Sequence, residues 1–382
     1  MSVQFLWPFD ELMIRFHEMV IGASRHAMFA ERTGISERRW RDPTKQFRPT
    51  TVMKAMNHAR ERILDDLRKR GFDEVERAAR FEQMPRSLTG QFIFCSEILG
   101  ELEYPNTRSF ALKIDALGRE FTEARLDNDL PRAKKLLQTT IWLDQSYFSG
   151  NGDELRATRR PELLADFEAA DSWSSLHRPV GGVTVNLLFS LLALWEIESN
   201  QKRLFQPFQK RSVFSFLFPR ARIEEEGPLC TKRDVFEYPI RRLIDLSAAL
   251  AHRHHEQAWP AKALTVKELK LICFRESERT FVDWRDGTKR LLWSDFERIG
   301  RYLFYRGDDI EGGGSVPLLT PLFCAATLFQ MLLVERDSTS RTRSITIPSA
   351  EYSYWYERHA LEQQASGVTF GDTPWPAWLT DP

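Results

Sequence analysis

The run VTVNLLFSLLALW, Val183 to Trp195, decides how the second half of this chain is read. A membrane-spanning helix needs about 20 mostly apolar residues. This run is shorter and carries Asn186. It is therefore expected to be a buried core helix, introduced by Pro179, Gly181 and Gly182. A second apolar stretch, Val316 to Val334, is longer. Pro317 and Pro321 interrupt its start and Gln330 sits near its end, so it is read in the same way.

Toward the N-terminus, residues 151–178 are polar with little apolar periodicity and read as a connecting segment. Ser146 to Glu154, SYFSGNGDE, breaks the pattern with two glycines and an asparagine and marks a boundary. Residues 1–150 are expected to form a helical domain. Leu12, Phe16, Met19, Val20 and Ala23 recur at helical spacing. Further helices are expected over Thr51–Arg70, Asp73–Gln83, Leu88–Leu102, Thr107–Leu126 and Leu130–Gln145.

Toward the C-terminus, residues 179–382 are expected to form a mixed α+β domain. Val213, Phe214, Phe216 and Phe218 have strand character. Arg279 to Trp293 reads as a β-hairpin, because two aromatic runs flank the tight-turn signal Asp286-Gly287. Ser294 and Glu297 form a capping box that starts a helix. Arg343 to Ile347 is a short strand stopped by Pro348, and a last aromatic helix covers Ser349 to Gln364. The expected fold is mainly α, with a mixed α+β C-terminal half.

The chain has 382 residues and balances 54 Lys plus Arg against 54 Asp plus Glu. A generally basic surface is excluded, so any binding to phosphate must be confined to a local patch. With 27 Phe and 11 Trp, the core should be rich in aromatics. The four cysteines, Cys95, Cys230, Cys273 and Cys324, are far apart and fit a reducing compartment better than a disulfide framework or a zinc site. Met1 to Asp10 lacks the basic start of a signal peptide. The expected location is the cytoplasm.

Residues Ala30 to Ser36 read AERTGIS. A small Ala30 lets two helices cross closely. Gly34 supplies the left-handed backbone of a turn, Ile35 fills the space between the helices, and Ser36 caps the second one. This pattern resembles the helix-turn-helix DNA-binding families over about residues 26–45. The resemblance implies a DNA partner, read by a second helix carrying Arg38, Arg39 and Arg41, with Lys45 and Arg48 as supporting charge. Between Arg25 and Arg48 there are seven basic and three acidic residues, a local excess in a neutral chain. Pro43 ends that helix early, and Thr33 stands where such motifs usually place an apolar residue.

Other constellations carry less. Lys202, Arg203, Lys210, Arg211, Arg220 and Arg222 interleave with five phenylalanines, which are more often buried than displayed for base stacking. His252 and His255 share a helix face, but no second motif supplies a third metal ligand. They also lie where histidines complement a helix C-terminus. Arg306 to Ser315, RGDDIEGGGS, lacks the Gly-Lys-Ser/Thr of a phosphate loop. Asp245 with Glu268 and Lys270 matches the tail of a metal-dependent nuclease signature. The expected function is that of a non-enzymatic, nucleic-acid-associated protein, with DNA favoured over RNA and no cofactor. A protein partner or a second copy is allowed, and no membrane is involved. The alternatives are an interaction subunit of a larger complex and a nuclease using Asp245, Glu268 and Lys270.

Overall fold

The computed structural model describes residues 104–138, 165–201, 212–218, 220–226, 231–237, 239–256, 278–285, 291–305, 319–334 and 343–367. It also describes 33–41 and single positions at 16, 27, 30, 31, 51, 58, 61, 65, 68, 69, 73, 260, 262 and 268. The predicted helices over Asp73–Gln83 and Leu88–Leu102 and the loop Arg306–Ser315 lie outside the described residues or almost wholly so.

The described elements are helices α1 (Glu37–Arg41), α2 (Pro105–Leu126), α3 (Leu130–Gln138) and α4 (His177–Gln201), then a 3-10 turn (Phe214–Leu217). A hairpin of β1 (Arg220–Glu226) and β2 (Thr231–Glu237) follows. The chain then forms α5 (Pro239–Glu256), α6 (Glu278–Arg285), α7 (Trp293–Tyr305), α8 (Leu319–Val334) and α9 (Arg343–Ala365).

The expected mixed α+β C-terminal half is corrected: among the described residues this half is mainly helical. The one sheet among the described residues is the two-stranded β1–β2 hairpin, and no further strand joins it. Its register sets Arg220 opposite Glu237, Glu224 opposite Arg233 and Glu225 opposite Lys232. None of the three predicted strand segments is a strand in its described residues. Arg279 to Trp293 begins as α6, which buries Trp284, and Trp293 opens α7. Arg343 to Ile347 is the first part of α9. Val213 to Phe218 holds the 3-10 turn Phe214–Leu217 between its two cap residues, with Phe214, Phe216 and Phe218 buried.

Helix α9 continues because Tyr352, Trp355, Tyr356 and His359 repeat at helical spacing and are all buried. This stripe outweighs the loss of one backbone bond at Pro348. Helix α7 starts one residue before the predicted capping box. The Leu292 carbonyl accepts the Phe296 amide at 3.0 Å, and Glu297 pairs with Arg301 instead of capping.

The chain divides into two compact units, and the division runs inside α4 between Leu188 and Phe189. In the first unit, α2 is followed by a turn at Asn128, whose φ of 57° is left-handed. Asn128 N–H reaches the Arg125 carbonyl at 3.1 Å and Asp129 N–H reaches that of Ala124 at 2.7 Å, which closes the last turn. The Asp129 carboxylate then caps α3 by accepting the Arg132 amide at 3.0 Å. Trp173 packs edge-on to Phe121, lies under the Arg125 guanidinium, and donates its indole N–H to Asn128 at 2.9 Å.

In the second unit, Phe189, Phe218, Phe329 and Tyr352 meet in one aromatic cluster. Helix α5 packs against α8, α7, α6 and the 3-10 turn. Helices α7 and α8 approach closely at Gly300, where a Cβ would stand 1.9 Å from Leu319 Cδ1. No described helix is long and apolar enough to cross a membrane, including the two built from Val183–Trp195 and Val316–Val334.

Candidate functional site

Two groupings bear on function, one in each unit. In the first, residues 30, 31 and 33 are helical, the chain turns at Gly34, and α1 begins at Glu37. Gly34 has φ of 67°, a conformation disfavoured for any residue with a Cβ. Its amide still reaches the Ala30 carbonyl at 3.1 Å. The Thr33 hydroxyl accepts the Ile35 amide at 3.4 Å, so this polar residue serves the turn. A side chain at position 34 would press within 3.1 Å of His58 Nε2. Thr51, His58, Glu61, Asp65, Arg68 and Lys69 are all helical.

On α1, Arg38 and Arg39 are exposed and Glu37 is half-buried. The Ser36 carbonyl accepts the Arg39 amide at 2.9 Å. Arg41 belongs to α1, but its side chain is not among those described, and Lys45 and Arg48 lie outside the described residues.

The second unit holds a buried polar spine that sequence reasoning missed. Glu196, in α4, is completely buried. Its Oε1 accepts the amides of Val213 and, at 3.2 Å, Phe214. Its Oε2 accepts the hydroxyls of Ser212 at 2.7 Å and Tyr352 at 2.6 Å. These four bonds join α4, the 3-10 turn and α9. Arg242 of α5 holds the far end of the turn, donating Nε–H to the Phe216 carbonyl at 2.8 Å. Burial pushes the Glu196 carboxyl up to about 7, and its four donors pull against that rise without cancelling it.

Nearby along the same two helices, the Ser190 hydroxyl meets His359 Nε2 at 2.8 Å. His359 Nδ1 meets Glu362 Oε2 at 3.2 Å. A carboxylate only accepts, so Nδ1 carries a proton, and in the neutral ring Nε2 then accepts from Ser190. The order serine, histidine, carboxylate is that of a nucleophilic triad. The chemistry does not follow. Ser190 is 1% exposed and lies in the interior of α4, where the surrounding amides are engaged in the helix ladder and cannot form an oxyanion hole. The chain of bonds instead anchors α9 to α4.

Neither spine has a motif with fixed spacing. The one signal available was chemical: Ser190, Glu196, Glu198 and Ser199 are polar residues inside or just after a strongly apolar run. Buried polar groups of this kind must find partners, and those partners lie on distant elements.

The remaining sequence candidates are placed as follows. His255 Nε2 meets the Leu303 carbonyl at 3.1 Å near the end of α5, and the His254 ring packs 5.3 Å from that of His255. His252 is half-buried, just before the last turn of α5. Among the described residues no group of three His, Cys, Asp or Glu side chains is arranged to hold a metal. Asp245 is buried beside Arg241, 4.0 Å away. Glu268 is helical and half-buried, and Lys270 lies outside the described residues. Comparison of the chain with protein-family models, curated proteins and solved structures finds no match.

Proposed function

We propose that this is a non-enzymatic, nucleic-acid-associated protein of the cytoplasm that contacts duplex DNA through the corner at residues 30–41. The observation that carries this reading is the left-handed Gly34 between two helical segments, with Arg38 and Arg39 exposed just beyond it. A glycine corner of this kind sets the angle at which a second helix is offered. Two exposed arginines on that helix have the planar donors suited to phosphate or to a guanine edge. The neutral total charge makes a local contact the only electrostatic route to a phosphate backbone.

The test replaces Arg38 and Arg39 by Ala together and measures duplex affinity at two salt concentrations. Each lost phosphate contact should reduce the slope of log affinity against log salt by about 0.9. An unchanged affinity with an unchanged slope would sink the reading. A loss confined to one duplex sequence would assign the arginines to bases instead of phosphates.

A further inference from the structure

We propose that the 212–218 segment is fastened to α4 and α9 by a protonation-dependent latch whose titrating group is Glu196, and that raising the pH loosens it.

The geometry carries the proposal. Glu196 is fully buried, and no lysine, arginine or histidine is among the partners that set its charge state. Its four donors are two amides and two hydroxyls. Neutral donors stabilise a carboxylate less than an ion pair does, so the cost of burying the charge stays largely uncompensated. The groups facing it are few. From α9 there is Tyr352, with Tyr356 acting on Tyr352 in turn. From the turn there is Ser212 with the two amides. On α5, Arg242 is held at the opposite end of the turn, Arg241 and Asp245 stand 4.0 Å from each other, and none of the three is among the groups that shift Glu196. Both hydroxyls are reversible: each donates to the carboxylate, and either one can accept the single O–H of the carboxylic acid after rotating one bond. The site can therefore hold either protonation state, and it differs between them in strength.

The sign follows from the direction of the shift. Glu196 titrates near 7 in the folded protein, above its ordinary 4.5. The folded state thus binds the proton more tightly than the opened state. The stabilisation is complete below about 4.5 and is lost as pH rises through about 7. Between pH 5.5 and 8.5 the opening equilibrium of this segment should rise on the order of 30-fold.

The experiment follows amide hydrogen exchange at Val213 and Phe214 across that range in the full chain, corrected for intrinsic exchange. Glu196→Gln should abolish most of the pH dependence, since its amide keeps both donor-to-oxygen bonds and still meets the two hydroxyls. If Glu196→Gln fails to fold, Tyr352→Phe serves. It removes a hydrogen bond that lowers the Glu196 titration, so the midpoint should move upward. The proposal is overturned if Glu196→Gln keeps the wild-type pH dependence, if the midpoint in Tyr352→Phe stays put or falls, or if a labelled Glu196 carboxyl titrates in the ordinary carboxylate range.

Discussion

The Tyr352 hydroxyl of α9 donates to Glu196 Oε2 of α4 at 2.6 Å, a bond between residues 156 positions apart. It is made in the same place where Ser212 and two backbone amides reach the same carboxylate. Helix α9 is thus tied to α4 through a polar group that lies inside the aromatic core. A buried acceptor of this kind makes the loss of any single donor expensive, because the carboxylate cannot turn to water instead.

Replacement of Ser212 by Ala removes one of these donors and also the oxygen that accepts the Ser215 amide at 3.0 Å. We expect a loss of about 1–3 kcal/mol in denaturant unfolding, larger at pH 8 than at pH 6, because the charged carboxylate needs the donor more. Equal losses at the two pH values would contradict the assignment of charge to Glu196.

Gly300 faces Leu319, where an added Cβ would lie 1.9 Å from Leu319 Cδ1. Leu319 is completely buried and has little room to withdraw. Gly300→Ala is expected to destabilise by about 1–3 kcal/mol. Leu319→Ala alone should also destabilise, by opening a cavity. The double variant should be more stable than the sum of the two predicts, since each change relieves the other. Strict additivity would show that the helices do not meet at this pair.

Gly34→Ala puts a Cβ into a left-handed backbone and against His58. The expected cost is about 1–2 kcal/mol of local stability. Gly34→Asn should cost less, because asparagine tolerates this conformation. Under the proposed function, both should weaken duplex binding in the same order. Limited proteolysis within residues 30–41, alongside the affinity measurement, checks both parts.

Glu362 is held below the ordinary carboxylate range, first by the hydrogen bond from His359 and then against the opposing effect of burial. A depressed carboxylate contributes stability above its unfolded value, and this is lost as pH falls through the folded value. Its side chain is 48% exposed, so solvent screening keeps the effect under about 1 kcal/mol. Glu362→Gln should flatten the acid side of the stability profile only, whereas Glu196→Gln flattens the region around neutrality. A change at neutral pH in Glu362→Gln would break this separation.

Ser190→Ala leaves His359 Nε2 buried without its partner, with His359 itself 3% exposed. The expected loss is about 1–3 kcal/mol. A fluorophosphonate reagent should leave Ser190 unlabelled in the folded protein. Stoichiometric labelling at this residue, mapped by mass spectrometry, would reverse the structural reading of the serine–histidine–carboxylate chain.

The amino-acid order by itself determined the helices that carry a full apolar stripe or run. Val183–Trp195 lies in α4, most of Val316–Val334 forms α8, Thr107–Leu126 lies in α2, and the aromatic helix expected over Ser349–Gln364 lies within α9. In each, burial is encoded by neighbours within a turn or two, so the local pattern and the final contacts agree. The glycine of the N-terminal corner was legible for the same reason, since a left-handed turn needs little beyond its own residue.

Tertiary structure decided the rest. Val213 to Phe218 carries strand-forming phenylalanines, yet it folds as a 3-10 turn because Glu196, distant in sequence, accepts the amides of Val213 and Phe214. Arg279 to Trp293 carries aromatic runs around a tight-turn signal, yet its first part is helical and buries Trp284. The buried spine of Ser190, Glu196, Ser212, Tyr352 and His359 was invisible along the chain. A polar side chain inside an apolar run announces only that it needs a partner, and which distant element supplies that partner is settled when the helices pack.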